Sequence, residues 1–207
     1  MPDFCFELGL ETTDLVVGLD EAGRGPWCGP VVAACVGWPH LQCPTELAHQ
    51  INDSKKLSPQ KREVLFDQIM TATPIWGIGQ ASAKEIDEMN ILQASFLAMR
   101  RALDEVIRKG FTPAVALIDG NRLPDWQIQK YALIGGDGKS LSIAAASILA
   151  KVTRDRIMKE LAKKYPYYGW EKNAGYGTKD HQAGLVQHGI TPEHRHSYAP
   201  IKKLLTP

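Results

Sequence analysis

Val16-Val17-Gly18-Leu19-Asp20-Glu21-Ala22-Gly23-Arg24-Gly25-Pro26 runs from an apolar stretch into two adjacent carboxylates and then into a Gly-Arg-Gly turn. Neighbouring carboxylates at a strand end repel each other unless a cation sits between them. Mg²⁺ and Mn²⁺ are the usual cations for hard oxygen ligands. The two glycines let the backbone approach a ligand closely, and Arg24 brings a positive charge to the same place. A metal, a bare backbone and a cation together point to a substrate that carries phosphate.

Working outward, Pro30 to Val36 is a second apolar run, so the Gly-Pro-rich segment between reads as the turn of a hairpin with the acids at its mouth. The first strand is expected over Leu15 to Leu19. Ser58-Pro59 has the form of an N-cap followed by proline at the first helical position, opening a helix to about Met70. Ile75 to Ala81 alternates, with Gly77, Gly79 and Ala81 on one face. Ala83 to Lys109 follows a helical period with a break near Asn90. Ala114 to Asp119 reads as a buried strand ending on a carboxylate, and Gln127 to Leu133 as another strand. Ser140 or Ser142 caps a long helix to about Lys164, and Lys179 to His188 forms a last helix. Strands first, then helices alternating with strands, predict an α/β fold with a mixed central sheet flanked by helices.

The composition fits such a domain. The chain has 207 residues, 44% hydrophobic and 23% charged, with a formal net charge of +1. No apolar run approaches the ~18 residues of a membrane span, and the N-terminus lacks signal-peptide features. The expected location is cytoplasmic, without a membrane partner, and the default state is a monomer. Cys5, Cys28, Cys35 and Cys43 form no C-x-x-C pair and read as free thiols. Basic residues concentrate between Lys151 and Lys172, with Arg195, Lys202 and Lys203 in the tail. That asymmetry can offset an acidic site elsewhere.

Four acids stand where a sheet can bring them together. Asp20 and Glu21 end the first strand, Asp119 ends a later one, and Asp137 lies in Gly135-Gly136-Asp137-Gly138 just before the long helix. An Asp before Gly is often a turn residue, but three apolar-to-acid transitions at element ends favour a metal site. The chemistry implied is two-metal phosphodiester hydrolysis, with ions ~3.5–4 Å apart.

The motifs resemble bacterial ribonuclease HII, a type 2 ribonuclease H family. They are Asp20 to Pro26, Asp53-Ser54-Lys55-Lys56-Leu57, Ile118-Asp119-Gly120, Lys139-Ser140-Leu141-Ser142-Ile143-Ala144-Ala145-Ala146-Ser147 continuing to Asp155, and Gly175-Tyr176-Gly177-Thr178. The resemblance spans about Val16 to Pro200. It implies a ribonuclease H-like fold, with residues 1–165 as the catalytic domain and 166–207 as a helical C-terminal segment packed on it. It implies Mn²⁺- or Mg²⁺-dependent cleavage of the RNA strand of RNA/DNA hybrids. Incision 5′ to single ribonucleotides in duplex DNA, leaving 3′-hydroxyl and 5′-phosphate ends, is implied as well. Asp20, Glu21, Asp119 and Asp137 would be the catalytic, metal-holding carboxylates. Gly23, Arg24 and Gly25 would read the ribose 2′-hydroxyl and the adjoining phosphate, and Tyr176 would pack on the neighbouring sugar. The 2′-hydroxyl is the group that tells RNA from DNA at a given site.

Lys55, Lys56, Lys139, Ser140 and Ser147 are further candidates to hold phosphates, with Lys151, Arg154 and Lys179 behind them. Asp155 reads as half of an ion pair with an arginine, and His181, His188, His194 and His196 show no metal-ligand spacing. Trp27-Cys28 stand where the family more often has small aliphatic residues, and Gly138 where Ala or Ser is commoner. The alternatives are a ribonuclease HIII-like hybrid nuclease, a non-catalytic hybrid-binding module, and a junction resolvase. The HIII family typically carries an extra N-terminal domain, for which the early signature leaves no room. All four acids are present, which disfavours the binding module, and the Gly-Arg-Gly and Gly-Tyr-Gly pair disfavours the resolvase.

Overall fold

In the computed structural model, which describes residues 1–10, 12 and 14–205, the apolar stretch before the carboxylates is the central strand of a five-stranded sheet. The expected C-terminal segment thus has its last two positions outside the described residues. A short helix, α1 (Cys5–Leu8), comes first. The strand β1 (Val16–Ala22) runs on through Asp20 and Glu21, beyond the expected end at Leu19. Its partner β2 (Val31–Gly37) folds back antiparallel, as the hairpin reading required, and pairs Asp20 with Ala34 and Glu21 with Ala33. Ladder bonds to β2 therefore hold the carboxylate backbone rigid.

On the far side of β2 lies β3 (Trp76–Ala81), antiparallel to it. On the other side of β1 come β4 (Val115–Asp119) and β5 (Gln129–Leu133), both parallel, giving the mixed order β3-β2-β1-β4-β5. The parallel register sets Val16 beside Val115 and Leu19 beside Ile118, so Asp20 and Asp119 emerge at the same end of the sheet.

The remaining helices are α2 (Thr45–Ala48), α3 (Pro59–Ala72), α4 (Ala83–Arg108), α5 (Leu141–Lys164), α6 (Trp170–Asn173), α7 (Lys179–His188) and α8 (Ala199–Leu205). Their starts follow sequence signals. Ser58 accepts the Lys61 N–H, Ser140 that of Ile143 and Thr178 that of His181. Ser82 and Glu85 form a reciprocal capping box. The break in α4 falls at Asn90, whose φ of 70° leaves the helical region. Its side-chain oxygen accepts the N–H groups of Leu92 and Gln93 and so restarts the helix. The short helices α1, α2, α6 and α8 escaped the sequence reading because one or two turns show too little period.

One face of the sheet packs on α4, through Val17, Leu19, Ala33, Cys35, Ala98, Met99 and Ala102. The glycines of β3 make this approach possible. A Cβ on Gly77 would lie 2.1 Å from the Ala102 carbonyl oxygen, and one on Gly79 2.2 Å from that of Ala98. The other face packs on α5, with α3 outside it, through Ala34, Val36, Leu65, Ala144, Ala145 and Ile148. Here α5 starts directly over β1, where a Cβ on Gly18 would lie 2.3 Å from the Ile143 nitrogen. That contact brings the Asp137 turn, just before α5, to the acidic end of the sheet. A third cluster of Cys28, Met158, Tyr168, Trp170, Leu185 and Ile201 seats the C-terminal helices against α5.

Gly79→Ala should cost stability by about 1–3 kcal/mol through overpacking, since the obstacle is helix backbone. Gly138→Ala, where nothing lies within 4 Å, should stay within about 0.5 kcal/mol of the parent. Urea denaturation midpoints measure both.

Candidate metal and nucleic-acid site

The acids gather around a cleft of about 440 Å³ lined by Asp20, Glu21, Gly23, Arg24, Gly25, Ser54, Lys55, Asp119, Ser147 and Tyr176, among others. Asp20 is 7% exposed. Burial pushes its pKa well above the ordinary carboxylate value, and the charges of Glu21, Asp119 and Asp137 push the same way. Burial also raises Glu21, against the opposing pull of Arg24, which lies 3.2 Å away. Asp137 is raised by burial and then by Asp53 and Asp119. Each group thus feels the others, as expected of acids that share a site.

Their oxygens are partly engaged. Asp20 Oδ1 accepts the N–H of Glu21 at 2.6 Å, and Asp119 Oδ1 accepts that of Gly136 at 2.7 Å. Among the described residues no three His, Cys, Asp or Glu side chains converge as a closed metal cage. The donor set is nonetheless all hard oxygen, buried and mutually repulsive, and that chemistry fits Mg²⁺ or Mn²⁺.

A second wall is the turn Asp53 to Leu57. Asp53 caps it by accepting the Lys55 N–H at 2.9 Å and also stands beside Asp137. Arg62 of α3 donates to the carbonyls of Ser54 and Leu57 at 2.8 and 2.7 Å, and the Ser54 N–H reaches Ser147 Oγ at 3.3 Å. So fixed, the turn points Lys55 at the acids. Burial works against the Lys55 charge, but Asp137, Asp20, Asp53 and Asp119 outweigh it and hold the pKa above the ordinary lysine value.

The third wall is the loop Gly23 to Gly29, with the Tyr176 loop opposite. Gly23 has φ +100°, and a Cβ on it would meet Arg154 Nε at 2.0 Å, so only glycine fits. Tyr176 is 52% exposed and faces Gly25, where a Cβ would lie 3.3 Å from its ring. The two loops are tied together. The Trp27 N–H donates to the Gly175 carbonyl at 2.9 Å, and the Trp27 ring lies over Gly177. Arg154, 1% exposed, donates to the carbonyls of Pro30, Ala174 and Cys28 at 3.0, 2.9 and 3.1 Å.

Behind Tyr176 lies a buried histidine pair. His181 Nδ1 is 3.0 Å from the Tyr176 carbonyl oxygen and therefore donates to it. The Thr191 N–H donates to His194 Nδ1 at 2.9 Å, which leaves His194 Nε2 to donate to His181 Nε2 at 3.0 Å. The Trp170 indole N–H also points at His181 Nε2, from 3.3 Å. Both rings are thus neutral with assigned tautomers. Burial holds the pKa of His194 down at about 4, helped by His181, and burial likewise lowers His181.

The sequence-predicted residues fall into two sets. Asp20, Glu21, Asp119, Gly23, Arg24, Gly25, Lys55, Ser147, Lys151, Arg154 and Tyr176 line one cleft, with Asp137 at its edge. Ser140 does not reach it. It is fully buried, caps α5 and donates to Glu7 at 2.7 Å, so its hydroxyl cannot touch a phosphate. Lys139 lies outside the lining and donates to the Ile134 carbonyl at 2.8 Å, while Lys56 is exposed beside Asp53. Arg154 reaches the lining as well, but its three hydrogen bonds all go to backbone carbonyls. Asp155 pairs with Arg62 at 3.8 Å, as expected of a structural acid, and more closely with Lys151 at 2.6 Å. Sequence reasoning gave no role to Asp53, Glu7, Arg195 or Tyr198. Asp53 sat in a quoted motif, but the partners of the other three are more than 100 residues away.

A mixed sheet with acids at the ends of β1 and β4 and beside the start of α5 defines a nuclease of the ribonuclease H-like class. The family model "Ribonuclease HII" matches residues 17–201. Ribonuclease HII of Paramagnetospirillum magneticum is 50% identical over 205 residues, covering 99% of each chain. The ribonuclease H2 structure from Pyrococcus horikoshii OT3 superposes with a TM-score of 0.73 at 27% identity, over 92% of this chain and 96% of that one. The Bst-RNase HIII structure in complex with Mn²⁺ shares the fold, with a TM-score of 0.75 at 19% identity over 93% and 70%. The chain belongs to the ribonuclease HII family. It is accordingly a ribonuclease H2-type endonuclease, and enzymes of this family depend on metal ions. No helix among the described residues is long and apolar enough to cross a membrane.

The histidine pair predicts a pH dependence. Both pKa values lie below the ordinary histidine value of ~6.5. The pair's stabilisation is therefore complete above that value and is lost as pH falls from there toward about 4. In thermal melts, the stability advantage of the wild type over His194→Gln should shrink between pH 7 and pH 4.5.

Proposed function

We propose that this chain hydrolyses the RNA strand of RNA/DNA hybrids and cuts duplex DNA on the 5′ side of single embedded ribonucleotides, leaving 3′-hydroxyl and 5′-phosphate ends. The observation that carries this reading is adjacency. The acids and the Gly23-Arg24-Gly25 loop share one cleft with Tyr176. The group that distinguishes RNA and the bond to be broken thus fall within reach of one wall each. Residues 1–165 supply the catalytic part, and 166–207 form the helical segment that presents Tyr176.

Asp20, Glu21, Asp119 and Asp137 would hold two Mg²⁺ or Mn²⁺ ions. Such ions lower the pKa of an attacking water and stabilise the leaving oxygen of an in-line displacement. The chain's own groups do the rest. Lys55 offsets the negative charge that the substrate phosphate adds to four acids. Arg24, half exposed beside Glu21, turns outward to the adjoining phosphate. The backbone of Gly23 to Gly25 approaches the ribose without a side chain in the way. Tyr176 lays its ring on the neighbouring deoxyribose, where a 2′-hydroxyl would crowd it, and so favours an RNA–DNA junction. Ser147 acts through Ser54 by fixing the Lys55 turn. One chain carries every group named, so a monomer suffices, and cytoplasmic work on nucleic acid is part of the same reading.

Incision of a labelled DNA duplex with one ribonucleotide, in Mg²⁺, Mn²⁺ and EDTA, tests the reading. A metal-dependent cut immediately 5′ of the ribose is expected. Cleavage only of an all-RNA hybrid strand would favour the HIII-like specificity instead. Asp20→Asn should lower the rate on the order of a thousand-fold or more. In EDTA at pH 8 the same variant should melt a few degrees above wild type, because a carboxylate with a raised pKa destabilises the fold when ionised. Adding Mg²⁺ should raise the wild-type melting temperature more than that of the variant. Tyr176→Ala should lower single-ribonucleotide incision about tenfold, the loss of one stacking contact, with a smaller effect on long hybrids.

A further inference from the structure

Arg195 lies directly behind the Gly-Arg-Gly loop and is fully buried. Its guanidinium meets no carboxylate within salt-bridge range among the described residues. Every polar contact it makes is with an uncharged oxygen. Nη2 donates to the carbonyls of Gly23 at 2.6 Å and Gly29 at 2.9 Å. Nη1 donates to those of Arg24 at 3.0 Å and Pro26 at 2.8 Å, and Nε to Gly29 at 3.0 Å. Tyr198 completes the clamp. Its hydroxyl accepts from Arg195 at 2.9 Å and donates to the Arg24 carbonyl at 2.5 Å. Asp87 of α4 anchors this segment by accepting the N–H groups of His196 and Ser197, each at 2.8 Å.

Peptide geometry gives the clamp a consequence at the cleft. All peptides are trans, so the C=O of one residue points opposite to the N–H of the next. Drawing the Gly23 and Arg24 carbonyls toward Arg195 turns the N–H groups of Arg24 and Gly25 the other way. Among the described residues no hydrogen bond takes up either of these two N–H groups. Gly23, Arg24 and Gly25 line the cleft, and Arg195 does not. Two free donors therefore face outward on a loop held from behind by a planar cation. Successive amides so arranged form an anion- and hydroxyl-binding concavity. A buried charge whose direct partners are carbonyl oxygens and one phenol hydroxyl is costly to keep.

We propose that Arg195, with Tyr198, is a positioning residue for ribose recognition: it orients the Arg24 and Gly25 amides toward the sugar-phosphate without touching the substrate itself. The inference rests on the reading that the Gly-Arg-Gly backbone meets the ribose. Arg195 then sets how well the enzyme tells one ribonucleotide from DNA, separately from metal binding and bond cleavage.

The test is equilibrium binding of the full chain in EDTA, read by fluorescence anisotropy. The two probes are a DNA duplex with one ribonucleotide and the same duplex all-DNA. Wild type should prefer the first by about tenfold, the worth of one to two hydrogen bonds. Arg195→Lys keeps the charge but loses the planar fork, and should bring the ratio of dissociation constants down to about one. Tyr198→Phe removes a single hydroxyl and should lower the ratio about threefold, which keeps the test open if the arginine variant fails to fold. Affinity for the all-DNA duplex should stay within about twofold, because outward phosphate contacts are untouched. A merely structural role would weaken both duplexes equally and leave the ratio alone, and that result overturns the proposal. A wild-type ratio of one refutes the ribose reading of the loop itself, and this inference with it.

Discussion

Asp20 is a buried carboxylate with Glu21, Asp119 and Asp137 close enough to raise its pKa further. Most of the architecture around the cleft exists to hold this repulsive set in place. The backbone of Asp20 and Glu21 is fixed by pairing with Ala34 and Ala33. The parallel register of β1 and β4 brings Asp119 to the same sheet end. The close seat of α5 on Gly18 delivers the Asp137 turn. Relaxing any of the three would let the acids separate and ease the repulsion. The fold resists that relaxation with sheet hydrogen bonds and a helix packed at backbone contact.

Positive charge is distributed around the acids at two depths. Lys55 and Arg24 stand at the cleft surface, where their charge meets both acids and solvent. Arg154 and Arg195 lie beneath the Gly-Arg-Gly loop and contact carbonyl oxygens. Burial lowers the pKa of Arg154 to about 10, with Arg195 adding to the effect, and still leaves it charged at neutral pH. These two residues also join the parts of the chain. Arg154 connects α5 to the Tyr176 loop through Ala174, and Arg195 connects the C-terminal segment to the loop after β1. The histidine pair adds a third link, from Thr191 through His194 and His181 to the Tyr176 carbonyl. The C-terminal helices are thus bonded to both sides of the slot between Gly25 and Tyr176.

Much of this was legible in the chain. The alternation of Gly77, Gly79 and Ala81 marked a strand with one small-residue face, and Asn90 marked the break in α4. Ser58 and Ser140 carried their caps in plain view. The same transparency misled at Ser140. A serine in a motif reads equally well as a phosphate ligand or as a cap, and burial against Glu7 decided between them. The burial of Arg154 was hidden for a related reason, since a basic residue on a helix gives no sign of which face is inward.

The sequence by itself determined the element types, the acids at their ends and the family, because caps, periodicity and motifs are local and survive in one dimension. Only the tertiary structure decided which charged groups face the cleft and which lie behind it. Lys55 turns toward the acids, Lys139 back to its own loop, and Arg195 to the carbonyls of a turn more than 160 residues earlier. The reason is physical. The cost of burying a charge depends on the oxygens that surround it, and those oxygens are assembled only when distant segments pack.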